Sequence, residues 1–243
     1  METIDLNVCI TAAARFDTSA TTPVKQLKAA LQQQSGIDPR RLSRLSLIAT
    51  LGANLLKQRR PIAPNCAVYA AAPFSSPSVF EKMADNVLNH AAAMPFDFIA
   101  NLHNAPAFHA AQTLGSHGAT VFIPTHRQNP FYPLLAAALS LDAGGQAAVG
   151  WCYEHQHEHR NTAEGSVWLL LEHGATAGAA VRVSNSSAAT HNETAQADGC
   201  YWQAVCDWLN RQPENECTLH AGDWDLRIDA ADWAVVRERI GQD

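Results

Sequence analysis

From Val167 to Leu171 the chain reads VWLLL, five apolar residues in a row inside the longer stretch SVWLLLE. A strand wetted on one face alternates apolar and polar residues, whereas a continuous apolar run marks a strand covered on both faces. A sheet holding such a strand needs helices above and below it. Further short apolar runs, at residues 6–14, 66–72 (CAVYAAA), 120–123, 147–153 and 179–184, read as its neighbours.

Between these runs lie segments with helix punctuation. Residues 23–34 (PVKQLKAALQQQ) open on proline and stop at Ser35-Gly36. Residues 38–60 carry Leu42, Leu45, Ile48, Ala49, Leu55 and Leu56 near helical spacing, with Asp38 and Pro39 expected as N-cap and first helical position, which predicts one long buried helix. Residues 78–93 and 104–114 read as helices. Asn129 and Pro130 are expected to start another, through FYPLLAAALSLDA to Gly144-Gly145. The alternation specifies an α/β fold with a mixed sheet covered by helices. Composition shifts at residues 185–198 (NSSAATHNETAQAD), a linker-like stretch separating a main unit, 1–184, from a short α/β tail, 199–243. The tail carries a tryptophan-rich helix at 201–211, strand candidates at 217–220 and 226–228, and a last helix from Ala231, too little for a rich second domain. Trp202, Trp208, Trp224 and Trp233 are expected to anchor it on the main sheet.

At 243 residues the chain is long enough to bury about 70–75% of its unfolded surface. Charged residues are only 16% and the formal net charge is −6, which fits neither a disordered polyelectrolyte nor a nucleic-acid binder. The six cysteines form no C-x-x-C pair and are expected as reduced thiols. METIDLN lacks the basic and apolar regions of a secretion signal, and no segment approaches the roughly 18 apolar residues of a membrane span. The expectation is a soluble, cytoplasmic protein with no membrane partner.

The loudest local signal for chemistry is Glu154-His155-Gln156-His157-Glu158-His159. If the preceding strand continues, His155, His157 and His159 share one face, and imidazoles two apart can bind one zinc. The competing reading is a solvated turn. His103, His109 and His117 form a second set, read either as hydrogen-bonded core histidines or as site residues. There is no G-x-S-x-G, phosphate loop or G-x-G-x-x-G, so the common hydrolase and nucleotide fingerprints are missing.

NAPAFHAAQTLGSHGATVFIPTHRQN, residues 104–129, resembles the segment of β-ketoacyl-ACP synthases that runs through an asparagine, a helix and a strand into the catalytic cysteine. Asn104, Gly115, Gly118, Ile123 and Thr125 fall on that family's common residues without a gap. DPRRLSRLSLIA (38–49) is similar to its long early helix, and EGSVWLLLEHG (164–174) to its EGAGALVLE strand. The resemblance implies a thiolase-like fold over about residues 1–184, with the short tail in place of the family's second half. It puts Arg127 at the nucleophile position, or Gln128 if the register shifts by one. Neither can replace a thiolate, since a guanidinium stays protonated and is not nucleophilic. The family's second half also supplies two catalytic histidines; the only echo here is His220 in TLHAG.

What the resemblance implies is a noncatalytic, chain-length-factor-like subunit of a type II ketosynthase in aryl polyene, polyketide or fatty acid biosynthesis. Its partners would be a full-length ketosynthase bearing the cysteine, in a heterodimer, and transiently an acyl carrier protein. No cofactor is implied. Asn104, His109, Thr125, His126, Arg127 and Gln128 would lie near the interface and the partner's acyl tunnel. The alternatives are an enzyme in its own right, either a malonyl-ACP decarboxylase using Gln128 or a metal enzyme using His155, His157 and His159, and a homodimeric acyl-binding module.

Overall fold

The computed structural model describes residues 3–92, 94–126, 128–155, 163–186, 201–211, 216–238 and 240. Its centre is the predicted apolar run. β5 (Ala163–His173) is buried on both faces and lies between β4 (Gln146–Tyr153) and β1 (Thr3–Ser19) in an eight-stranded sheet of order β3-β2-β4-β5-β1-β6-β8-β7. β2 (Ala67–Ala72) runs parallel to β4 and to β3 (Thr120–Pro124); every other pairing is antiparallel. β1 is nearly twice its predicted length. It pairs with β5 along one edge and with β6 (Ala179–Asn185) along the other, and a register shift between Ile10 and Ala12 bends it.

The two faces of the sheet are packed differently. On one, α2 (Arg44–Arg59) and α5 (Ala105–Leu114) cover Val68, Ala70, Ala148, Trp168 and Leu170. α2 is buried all round because α1 (Val24–Ser35) covers its outer side through Leu27 and Leu31 against Leu47 and Leu51. It can lie that close because Gly52 has no side chain; a Cβ there would overlap the Ser166 hydroxyl and the Trp168 indole. Ser166 donates to the Ile48 carbonyl at 2.8 Å across the same contact. The predicted start of this helix is corrected. Asp38 accepts from the Arg40 amide in a turn, and Ser43 is the cap, accepting from the Ser46 amide at 3.2 Å.

The other face packs on α6 (Tyr132–Ser140), α7 (Tyr201–Asn210) and α8 (Ala230–Glu238). β7 (Glu216–Ala221) and β8 (Trp224–Asp229) continue the sheet beside β6, and their buried Cys217, Leu219, Leu226 and Ile228 join the same apolar cluster as Leu134 and Leu135 of α6. The far end of the sheet therefore curls around α6. Trp208 stacks on Trp233 at 4.9 Å and meets Trp151 and Phe131 edge-on at 5.7 and 5.1 Å, so this cluster is largely aromatic. Asn185 ends β6 and the Ser186 amide donates to the Asp223 carbonyl; the rest of the expected linker lies outside the described residues.

A buried ion pair ties the layers together. Arg44, the first residue of α2, donates to both carboxylate oxygens of Glu164 and to the carbonyls of Ser19 and Thr22, while the His155 amide also donates to Glu164. Removing one partner of such a pair typically costs about 3–5 kcal/mol, because the other charge stays buried.

Candidate functional site

The segment aligned with a nucleophile loop leaves β3 at the sheet edge and enters α6. Thr125 is buried; its amide donates to the Ala72 carbonyl at 3.1 Å and its hydroxyl to the Asn129 carbonyl at 2.7 Å. His126 and Gln128 are exposed, with the Gln128 amide 3.3 Å from His126 Nδ1. Arg127 lies outside the described residues. The Trp151 indole donates to the Pro130 carbonyl at 2.6 Å, and Asn129 Oδ1 accepts from the Gly222 amide at 2.8 Å. These ties explain a second correction. Asn129 and Pro130 belong to the loop rather than to the first turn of α6, which begins at Tyr132 with Phe131 as its N-cap.

The sequence THRQNP holds no thiol. Cys66 and Cys152, in and beside the sheet, are buried, and burial pushes the Cys66 thiol up to about 11 and the Cys152 thiol still higher. Both are protonated at neutral pH and neither offers a thiolate.

Of the remaining candidates, Asn104 stands at the N-terminus of α5, exposed and without a capping hydrogen bond, and His109 is half-buried one and a half turns further on. α5 and α6 pack on opposite faces of the sheet, so Asn104 and His109 belong to the α5 layer while Thr125, His126 and Gln128 lead into the α6 layer. His109 Nδ1 meets Gln112 Oε1 at 3.1 Å; burial lowers its pKa, and the Gln112 contact partly opposes that. It lines an open cleft of about 530 Å³ with Ile37, Asp38, Arg40, Arg41, Leu42 and Gln112. His103 and His117 are exposed rather than core residues; His103 sits edge-on to Phe122 of β3 at 5.9 Å.

The strand proposed to carry the three alternating histidines stops earlier. β4 ends at Tyr153 and the His155 amide is held by Glu164; His157 and His159 lie outside the described residues. Among the described residues no three ligand-type side chains converge on a metal site.

Two features escape sequence reasoning. Glu154 is buried and accepts from the Ser76 hydroxyl and, at 3.0 Å, from the Ser78 amide, so it holds the start of α3 (Pro77–His90). Burial raises its pKa, and these hydrogen bonds oppose the rise. His220 Nδ1 lies 2.7 Å from Asp225 Oδ1 across the β7–β8 hairpin, and Gly222 in its turn touches the loop after β3. The glycine in TLHAGDW marks a turn, but nothing local shows where the turn docks.

The fold now has relatives. The model superposes on a chain of the ishigamide ketosynthase/chain length factor with a TM-score of 0.56 and 15% identity, over 73% of this chain and 67% of that one. It superposes equally well, at 0.56 and 14% identity, on a chain from the ketosynthase ApeO in complex with its chain length factor ApeC from Xenorhabdus doucetiae. The chain has the thiolase-like fold of ketosynthases. In the ApeO–ApeC case the match covers 91% of this chain and 98% of the other, so it extends beyond the main unit into the tail and the two chains are of similar length. A ketosynthase from module 1 of the bacillaene synthase of Bacillus amyloliquefaciens FZB42 matches at 0.50 and 11% identity, over 75% of this chain but only 46% of that one. The sequence matches no family model and no curated protein.

Proposed function

We propose that this protein is a chain-length-factor-like subunit of a heterodimeric ketosynthase, which supports a catalytic partner and helps shape its acyl pocket rather than condensing acyl chains itself. The observation that carries the reading is the open end of the sheet. β3 is an edge strand; α5, which packs on it, presents Phe108 to solvent, and α3 and α4 (Pro95–Ala100), which precede α5 in the chain, present Phe80, Leu88, Phe96, Phe98 and Ile99. Neither α3 nor α4 contains a buried residue. An uncovered edge strand and large apolar side chains left in solvent are both marks of a protein–protein interface. The loop that leaves this edge has no thiol, which fits a silent role. The likeness to chains from two ketosynthase/chain length factor assemblies supports the same reading.

The partner in this proposal is a full-length ketosynthase with the cysteine, and the shared substrate is an acyl chain delivered by an acyl carrier protein in aryl polyene, polyketide or fatty acid synthesis. The setting is the cytoplasm; no described helix is long and apolar enough to cross a membrane. The experiment is to capture the protein gently from its own host, measure the native mass and identify the bound chains. A one-to-one complex with a cysteine-bearing ketosynthase is expected. A monomer or homodimer under the same mild conditions overturns the proposal.

A further inference from the structure

We infer that the C-terminal elements α7 to β8 clamp the loop between β3 and α6, with Gly222 and Trp208 as positioning residues that set its shape without belonging to it. Two separate ties carry this. The turn between β7 and β8 reaches the loop directly, through the Gly222 amide on Asn129 Oδ1 at 2.8 Å. Trp208 of α7 packs edge-on against Phe131 at 5.1 Å and against Trp151 at 5.7 Å, and the Trp151 indole donates to the Pro130 carbonyl.

Among the described residues the loop's other hydrogen bonds run to β2 or within the loop itself, as from the Asn129 amide to the His126 carbonyl at 3.0 Å. Its start is pinned by Thr125 to β2, and the Thr125 hydroxyl closes back on the Asn129 carbonyl. Its later half is held by the main sheet, through the Trp151 indole on the Pro130 carbonyl, and by the tail, through Gly222 on Asn129 and Trp208 against Phe131. β7 can reach it because the sheet curls until Leu219 and Ala221 share one cluster with Leu134 of α6. Gly222 suits the turn, with φ of 66° and open space where a side chain would stand. The exposed His126 and Gln128 are thus presented by a loop whose outgoing end the tail and β4 hold together.

The consequence rests on the subunit reading. If this loop walls the partner's acyl pocket, the tail governs product length through Asn129. The test uses the full chain with Asn129→Leu, which removes the acceptor, and Asn129→Asp, which keeps it. Amide hydrogen exchange at Gly222, Gln128 and Phe131 is expected to quicken about tenfold in Asn129→Leu, the scale of one lost hydrogen bond, and to stay near wild type in Asn129→Asp. Unchanged exchange in Asn129→Leu overturns the clamp. In the reconstituted complex, Asn129→Leu is then expected to shift or broaden the product lengths, with Asn129→Asp restoring them. Faster exchange with an unchanged product distribution leaves the clamp standing and overturns the assignment of this loop to the pocket wall.

Discussion

The two ends of the sheet solve the problem of an exposed edge in opposite ways. At the β7 end the sheet curls around α6, and α7 and α8 fill the inside with Trp208, Trp233 and Val205 against Trp151 and Phe131. At the β3 end nothing curls. β3 is left as an edge, and α3 and α4 stand on the surface without a buried residue, held by Glu154 at the start of α3, by Lys82 paired with Asp97 at 2.8 Å and by Arg41 over the Phe96 ring at 4.8 Å. One end is closed over by the chain itself; the other leaves an edge strand uncovered, and α3 and α4 keep large apolar side chains in solvent. Apolar side chains stand both inside the closed end and on the outside of α3 and α4, and burial alone distinguishes the two settings.

The largest expected effect breaks the closed end. Trp208→Ala removes the side chain shared by Phe131, Trp151 and Trp233, and should lower unfolding free energy by about 3–5 kcal/mol in urea denaturation. A loss below about 1 kcal/mol would show that the tail is not part of the cooperative core. The same kind of truncation at the open end should behave differently. Leu88→Asp with Phe98→Asp replaces side chains that are 80% and 60% exposed, and should leave stability within about 0.5 kcal/mol of wild type. It should weaken capture of the ketosynthase partner at least about tenfold, or roughly 1.4 kcal/mol. Undiminished capture would move the interface elsewhere.

The smallest effect sharpens the boundary between the two ends. Burial raises the Glu154 carboxyl above its ordinary value, so the folded state holds a proton that the unfolded chain gives up first. Its contribution to stability therefore falls as pH rises from the ordinary glutamate range through the raised value. Glu154→Gln should remove that slope: the melting temperature of the variant relative to wild type rises between pH 4 and pH 7. A constant difference across that range would mean that Glu154 titrates normally and that α3 is anchored by other contacts.

Much of the fold was legible because its signals are local. The run at Val167–Leu171 fixed a strand covered on both faces, and Pro23 with Gly36 bounded α1, where Gly36 has the expected left-handed φ of 70°. Boundaries failed where a side chain found a better partner than a helix end. Asp38 turned to Arg40, and Asn129 to the tail. α4 was missed because PFDFIA is short and its apolar residues face outward. The order of strand, loop and helix from β3 to α6 was readable from residue pattern; the loop's attachment to Gly222, 93 residues away in sequence, was not.

The sequence by itself therefore determined the α/β class, the doubly covered central strand, most helix positions and the lack of a thiol at the loop after β3, since each follows from residue type and near-neighbour spacing. Tertiary structure alone decided that the sheet curls at one end and stays open at the other, that Glu154 is buried, and that the tail meets the loop. Those outcomes depend on which distant surfaces exclude water together, and the free energy of burial carries no record of sequence separation.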